Sequence, residues 1–122
     1  MKKVIIIYLI YLLISEIVIQ RVFGPKIKVL AYGPKMTQAG MIFNNSDNGA
    51  ISSIWITTNK SVGKGAYLVW GNNKIEVTIS KDVNLITAAV DSKYYQKRGI
   101  YFLQVVNPET GQKTNKIPFI VR

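Results

Sequence analysis

Side chains able to do covalent or acid–base chemistry are few in this chain, and their spacing argues against an active site. Histidine and cysteine are both absent, which removes the usual ligands of zinc, copper and haem and leaves a serine nucleophile only lysine as a base. Beyond residue 24 the carboxylates are Asp47, Glu76, Asp82, Asp91 and Glu109. Most fall in turn-forming stretches, and no close pair is set for general acid and base work. The nearest approach to a metal loop is Asn44-x-Ser46-x-Asn48-Gly49, which imitates the opening ligand positions and the glycine of a calcium loop. Trp55 stands where the bidentate Glu belongs and Asp47 falls at a non-ligand position, so the stretch reads as a plain turn. Neither enzyme activity nor a cofactor or metal is expected.

Two constellations could instead bind. Lys93-Tyr94-Tyr95-Gln96-Lys97-Arg98 interleaves cations with aromatics, a composition able to stack on sugars or single-stranded nucleic acid. The same residues also read as a turn between two late strands, with one Tyr packed on the core and the lysines solvated. No groove-reading motif accompanies them, and nucleic acid is not an expected partner. The second constellation is Tyr8, Tyr11, Ser15 and Glu16, which helical spacing gathers on one side of an otherwise Ile, Leu and Val surface.

The element that would carry that polar stripe is the N-terminal segment. Lys2 and Lys3 precede an uncharged run from Val4 to Ile14, and the segment continues to Phe23. A helix of about 20 residues is roughly 30 Å long, enough to cross a hydrocarbon core. No small-residue cleavage site follows the apolar run, so residues 1–23 read as an uncleaved signal-anchor rather than a removed signal peptide. Lys2 and Lys3 favour a cytoplasmic N-terminus, although Arg21, Lys26 and Lys28 weaken the bias. Two readings of Glu16 stand side by side: contact with another membrane subunit, or a place among the outer headgroups beside Gln20 and Arg21.

The remaining chain, 24–122, has room for one domain with one core. Without Lys2, Lys3, Arg21 and Glu16 it keeps 13 basic and 5 acidic residues, a net charge of +8. Such a surface attracts anionic lipid headgroups or acidic glycans within a Debye length of about 8 Å at physiological salt. With no cysteine, an exported domain of this size must hold without disulfides.

Its apolar periodicity is two. Strands are expected at Ile27–Tyr32, Met41–Phe43, Ala50–Thr58, Ala66–Trp70, Ile75–Ser80, Leu85–Val90, Ile100–Val106 and Ile117–Val121, with a short helical turn within Ser92–Gly99. Gly71-Asn72-Asn73-Lys74 marks a hairpin. Short strands at this spacing, each with one hydrophobic face, predict an all-β two-sheet sandwich behind one N-terminal transmembrane helix.

Ala66-Tyr67-Leu68-Val69-Trp70-Gly71-Asn72-Asn73, Leu85 to Val90, Gly99 to Asn107, the Gly111 turn and Pro118-Phe119-Ile120-Val121 together resemble an IPT/TIG-type immunoglobulin-like domain over residues 26–122. The resemblance implies an early-set sandwich used at cell surfaces, beside carbohydrate-active enzymes or as a protein-contact module. It departs from antibody-like domains in lacking their paired cysteines. Gly99-x-Tyr101-x-Leu103 puts Tyr101 where a tyrosine corner bonds backbone and Leu103 where the second cysteine would sit.

The expected protein is a non-enzymatic, single-pass membrane accessory subunit. Its immunoglobulin-like domain, extracytoplasmic (periplasmic or at the cell surface), would dock on a larger membrane or envelope assembly of proteins. The alternative is a surface adhesion or glycan-binding module using Tyr94, Tyr95 or Trp55. Contact with the membrane partner is assigned to Tyr8, Tyr11, Ser15 and Glu16, and a ligand or partner surface to Lys93, Tyr94, Tyr95, Lys97 and Arg98.

Overall fold

The computed structural model describes residues 27–45, 51–80 and 82–122. The expected signal-anchor, 1–23, with Tyr8, Tyr11, Ser15 and Glu16, lies outside the described residues, among which no helix is long and apolar enough to cross a membrane.

Nine strands follow in order: β1 (Val29–Gly33), β2 (Met36–Thr37), β3 (Ser52–Thr58), β4 (Tyr67–Trp70), β5 (Asn73–Ile75), β6 (Thr78–Ile79), β7 (Leu85–Val90), β8 (Gly99–Val106) and β9 (Ile117–Val121). A 3₁₀ turn, Ser92–Tyr95, separates β7 from β8. The strands form two sheets, a four-stranded one ordered β1-β3-β7-β6 and a five-stranded one ordered β2-β9-β8-β4-β5. The pairs are antiparallel except β2 with β9, which is parallel. The described chain is therefore all-β, with almost no helix.

Strict alternation builds the inner wall of the four-stranded sheet. In β3, Ser52, Ile54, Ile56 and Thr58 are buried while Trp55 points away, and in β7 Ile86, Ala88 and Val90 do the same opposite them. The facing wall is Leu68 and Trp70 of β4, Leu103 and Val105 of β8, and Phe119 of β9. Trp70 is its largest member: its ring lies 4.8 Å from that of Phe119 and 6.2 Å from that of Tyr101. Its buried indole N–H donates to the Tyr94 carbonyl at 3.1 Å, which meets the requirement that a buried polar tip find a partner. No buried side-chain polar atom among the described residues lacks a partner.

Three local outcomes differ from the sequence expectation. Met41–Phe43 forms no strand, and Met36–Thr37 pairs with β9 instead. Phe43 still reaches the core, because its N–H donates to Ser52 Oγ at 2.9 Å and its carbonyl accepts from Ser53 N at 3.2 Å, which anchors it to the start of β3 without a ladder. The run Ile75–Ser80 splits into β5 and β6, one on each sheet, so the chain crosses the sandwich at Glu76-Val77. Finally, the β1–β3 register shifts between Val29 and Ala31, leaving Leu30 without a cross-strand partner and 66% exposed. A bulge ejects the extra residue in this way.

The Gly71 hairpin forms as expected. Trp70 pairs with Asn73, so Gly71 and Asn72 are the two loop residues, and Gly71 takes φ 60°. With Gly71 at positive φ and Asn72 not, the turn is the type II′ arrangement, whose twist matches the strands it joins.

Candidate functional site

The basic aromatic segment after β7 is a structural junction before it is a surface. Asp91 caps the 3₁₀ turn, its Oδ1 accepting from Lys93 N at 2.9 Å. Tyr95 is fully buried: its ring is 5.0 Å from that of Phe43, and its hydroxyl is 2.7 Å from Ser52 Oγ. Backbone carbonyls do the remaining tying. Tyr94 O accepts from Trp70, Tyr95 O from Gly40 N at 2.9 Å, and Lys97 O from the Tyr101 hydroxyl at 2.8 Å. Tyr95 therefore presents no ring to a ligand, a correction to its assignment as part of a contact surface. The cause is the sandwich itself, which needs a large side chain to plug the end of its core between β3 and Phe43. Tyr94 is half-buried with the Lys93 ammonium 5.1 Å above its ring, while Lys93, Lys97 and Arg98 remain exposed.

Trp55 lies on the outer face of the four-stranded sheet and is 36% exposed. It pairs with Gly33 across β1, and a Cβ there would come within 2.8 Å of the indole. The ring thus rests on the Gly33 backbone, possible only because that residue has no side chain.

Among the described residues, two concavities bear on the site. A cleft of about 750 Å³ opens where the two sheets part, with Val77 and Ile79 in its wall and Lys64, Tyr67, Lys74 and Glu76 about it. Lys74 Nζ sits 4.6 Å from the Tyr67 ring centre, so the aromatic face a sugar would stack on already carries a cation. A shallower hollow of about 570 Å³ lies between Arg98, Arg122, Gln38, Ala39 and Val121. No group of three metal-capable side chains comes together among the described residues. Asn44 adopts φ 45°, as a turn residue does, and the rest of the calcium-like stretch, 46–50, lies outside them. Burial pushes the Tyr32 phenol above its ordinary value while its O–H donates to Pro118 O at 2.7 Å.

The feature that sequence reading missed is the outer face of the five-stranded sheet. In β8, Leu103 and Val105 point inward, so Ile100 and Phe102 point outward, and they are 61% and 55% exposed. Ile100 pairs with Ile120, which pairs in turn with Met36, and Phe102 pairs with Pro118. Directly opposed residues share a face, so these side chains form one contiguous apolar patch. Its signal is present in the sequence. β9 reads as an unbroken apolar run and β8 as one interrupted only by Gln104, whereas β3 begins and ends in Ser and Thr; runs of that kind imply two covered faces. Compared with known proteins, the chain matches no family model and no curated protein.

Proposed function

We propose that the protein is a non-enzymatic accessory subunit, held in a membrane by residues 1–23 with its N-terminus cytoplasmic, whose extracytoplasmic domain of residues 24–122 docks on a larger protein assembly. The observation that carries this reading is the apolar patch of Ile100, Phe102, Pro118 and Ile120. The domain satisfies its buried polar groups and exposes large apolar side chains at several places, but those of β8, β9 and β2 adjoin through strand pairing, and contiguous patches of that kind mark contact sites.

The domain itself we read as immunoglobulin-like. Lettered in that scheme, β1-β3-β7-β6 follows the order A-B-E-D and β2-β9-β8-β4-β5 the order A′-G-F-C-C′. Two further marks support the same reading: Trp70 is buried on the C strand, and the Tyr101 hydroxyl bonds the backbone of Lys97 as a tyrosine corner does. The finer IPT/TIG-type assignment rests on the sequence resemblance alone.

Purification of the full-length protein from its native membranes in mild detergent tests the function. Stable protein partners are expected, and they are lost when residues 1–23 are replaced by a polyleucine span if the polar stripe of Tyr8, Tyr11, Ser15 and Glu16 takes part. A glycan-binding module, for which the half-open Trp55 face is the best observation, would instead retain a carbohydrate ligand through the isolated domain and bring no partner.

A further inference from the structure

We infer that the outer face of the five-stranded sheet docks a protein partner that presents an apolar patch rimmed by carboxylates. This surface deepens the accessory-subunit reading, on which it rests, by giving it a location and a partner chemistry.

Position within the sheet comes first. β8 is the middle strand of the five, and Ile100 and Phe102, both more than half exposed, are its second and fourth residues; both pair with β9, while β4 runs beside β8 only from Leu103 onward. Ile120 and Pro118 lie beside them on β9 and Met36 beyond on β2. A sheet face left in water is expected to alternate to polar residues. Binding energy in an interface concentrates at a cluster that binding desolvates.

Charge supplies the second observation. Arg98 directly precedes β8 and Arg122 directly follows β9, and both line one hollow at the same end of the face. Lys116 precedes β9 at the opposite end, and Lys74 occupies β5 at the lateral margin, paired with the outward Val69. None of the five strands carries an Asp or Glu, and the one carboxylate directly adjoining them is Glu76, which follows β5 beside Lys74. An apolar patch with cations on three sides is complementary to an apolar patch bordered by carboxylates, and electrostatic complementarity selects between partners.

The same observations disfavour other occupants. A second copy of this chain would bring the same cations to the same rim, where like charges oppose association. An anionic bilayer would satisfy the cations, but Phe102 stands on a broad sheet face rather than on a protruding loop, and cannot reach hydrocarbon without submerging the charged rim. Strand addition is disfavoured because the sheet's edges, β2 and β5, are only two and three residues long.

Site-specific photo-crosslinking in the full chain, expressed in its own cells, tests the inference. A photoreactive amino acid replaces Ile100 or Phe102, with Thr87, outward on the other sheet, as control. Positions 100 and 102 are expected to yield a discrete adduct with one other protein, roughly tenfold stronger than position 87. Mass spectrometry of the crosslinked peptide is expected to find apolar residues flanked by Asp or Glu. Combining Lys74→Glu with Lys116→Glu should reduce that adduct severalfold without moving the thermal midpoint. An adduct of this chain with itself, an adduct with lipid, equal yield from position 87, or indifference to charge reversal would each overturn the inference. Should partners co-purify with the full chain while crosslinks form equally from both sheets, the accessory reading stands and the surface is wrong. Should nothing co-purify and no adduct form, both fall.

Discussion

The two sheets share one core but turn different outer faces to their surroundings. The four-stranded sheet shows mainly Ser53, Thr57, Thr87 and Ala89, with Leu85 beside Thr57, Leu30 at the β1 bulge and Trp55 laid on Gly33. The five-stranded sheet shows Ile100, Phe102, Pro118 and Ile120. Both inner faces contribute fully buried apolar side chains to the same core, so core filling does not account for the difference. Small and hydroxylated residues suffice for a strand with one face in water. Large apolar residues on the second outer face gain a little from their cross-strand pairs but are not needed to fill the core, and under the proposed reading their value lies in what covers them.

The sharpest test uses neighbours on one strand. Leu103 is fully buried and Phe102 is mostly exposed. Leu103→Ala should cost about 2–5 kcal/mol, through lost transfer energy and the cavity left behind. Phe102→Thr should change stability by only about 0.5 kcal/mol, as surface substitutions do. Chemical denaturation of both variants reads the contrast, and equal losses would mean that the two faces of β8 are wrongly assigned.

The next prediction concerns the opposite face. Gly33→Ala drives a methyl into the Trp55 indole, at an expected cost of about 1–3 kcal/mol. Tryptophan emission should shift to the red as the ring lifts into solvent. Unchanged emission would show that Trp55 does not rest on Gly33 and is free for other contacts.

Smaller again is the effect of Tyr95→Phe, which removes the hydroxyl beside Ser52 Oγ but keeps the ring against Phe43. A loss of about 1 kcal/mol is expected, against no measurable loss for Lys93→Ala or Lys97→Ala, whose side chains are solvated. Thermal melts of the three variants would place the basic segment on the surface if they came out alike.

The smallest effect is on pH. The Tyr32 phenol is raised by burial in the folded state above the usual value of about 10. Folding therefore favours the protonated phenol, and its contribution is whole below about pH 10 and lost as pH rises through the folded value. Tyr32→Phe should flatten the alkaline decline in stability, after correction for the lost bond to Pro118 O. An alkaline slope that the substitution leaves unaltered would remove Tyr32 as its source.

Much of the strand set was legible because alternation is local. Leu85–Val90 and Ile117–Val121 match their expected bounds, and Ile100–Val106 gains only Gly99. A hairpin over Gly71-Asn72-Asn73-Lys74 follows from residue type, and the pairing of Trp70 with Asn73 narrows its loop to Gly71 and Asn72. Less of the surface was legible. Lys93 to Arg98 has the composition of a binding loop, yet composition cannot say which Tyr points inward, and the Tyr94 carbonyl receives Trp70 from an element 24 positions away. The apolar runs of β8 and β9 carried the opposite signal: both faces were apolar on the page, but which residues shared a face across strands depends on register.

What the sequence by itself determined is the chain's chemistry and its local geometry: no histidine or cysteine, a strongly basic balance, an apolar N-terminal stretch and a period of two thereafter. These depend on residue identity and on neighbours a few positions away. Tertiary structure alone decided that Ile75–Ser80 is divided between two sheets, that Met36 rather than Met41 joins a ladder, that Tyr95 is core, and that Ile100, Phe102, Pro118 and Ile120 meet. Each of those outcomes is a long-range pairing, and pairing is selected by the packing of both sheets at once, which no window along the chain contains.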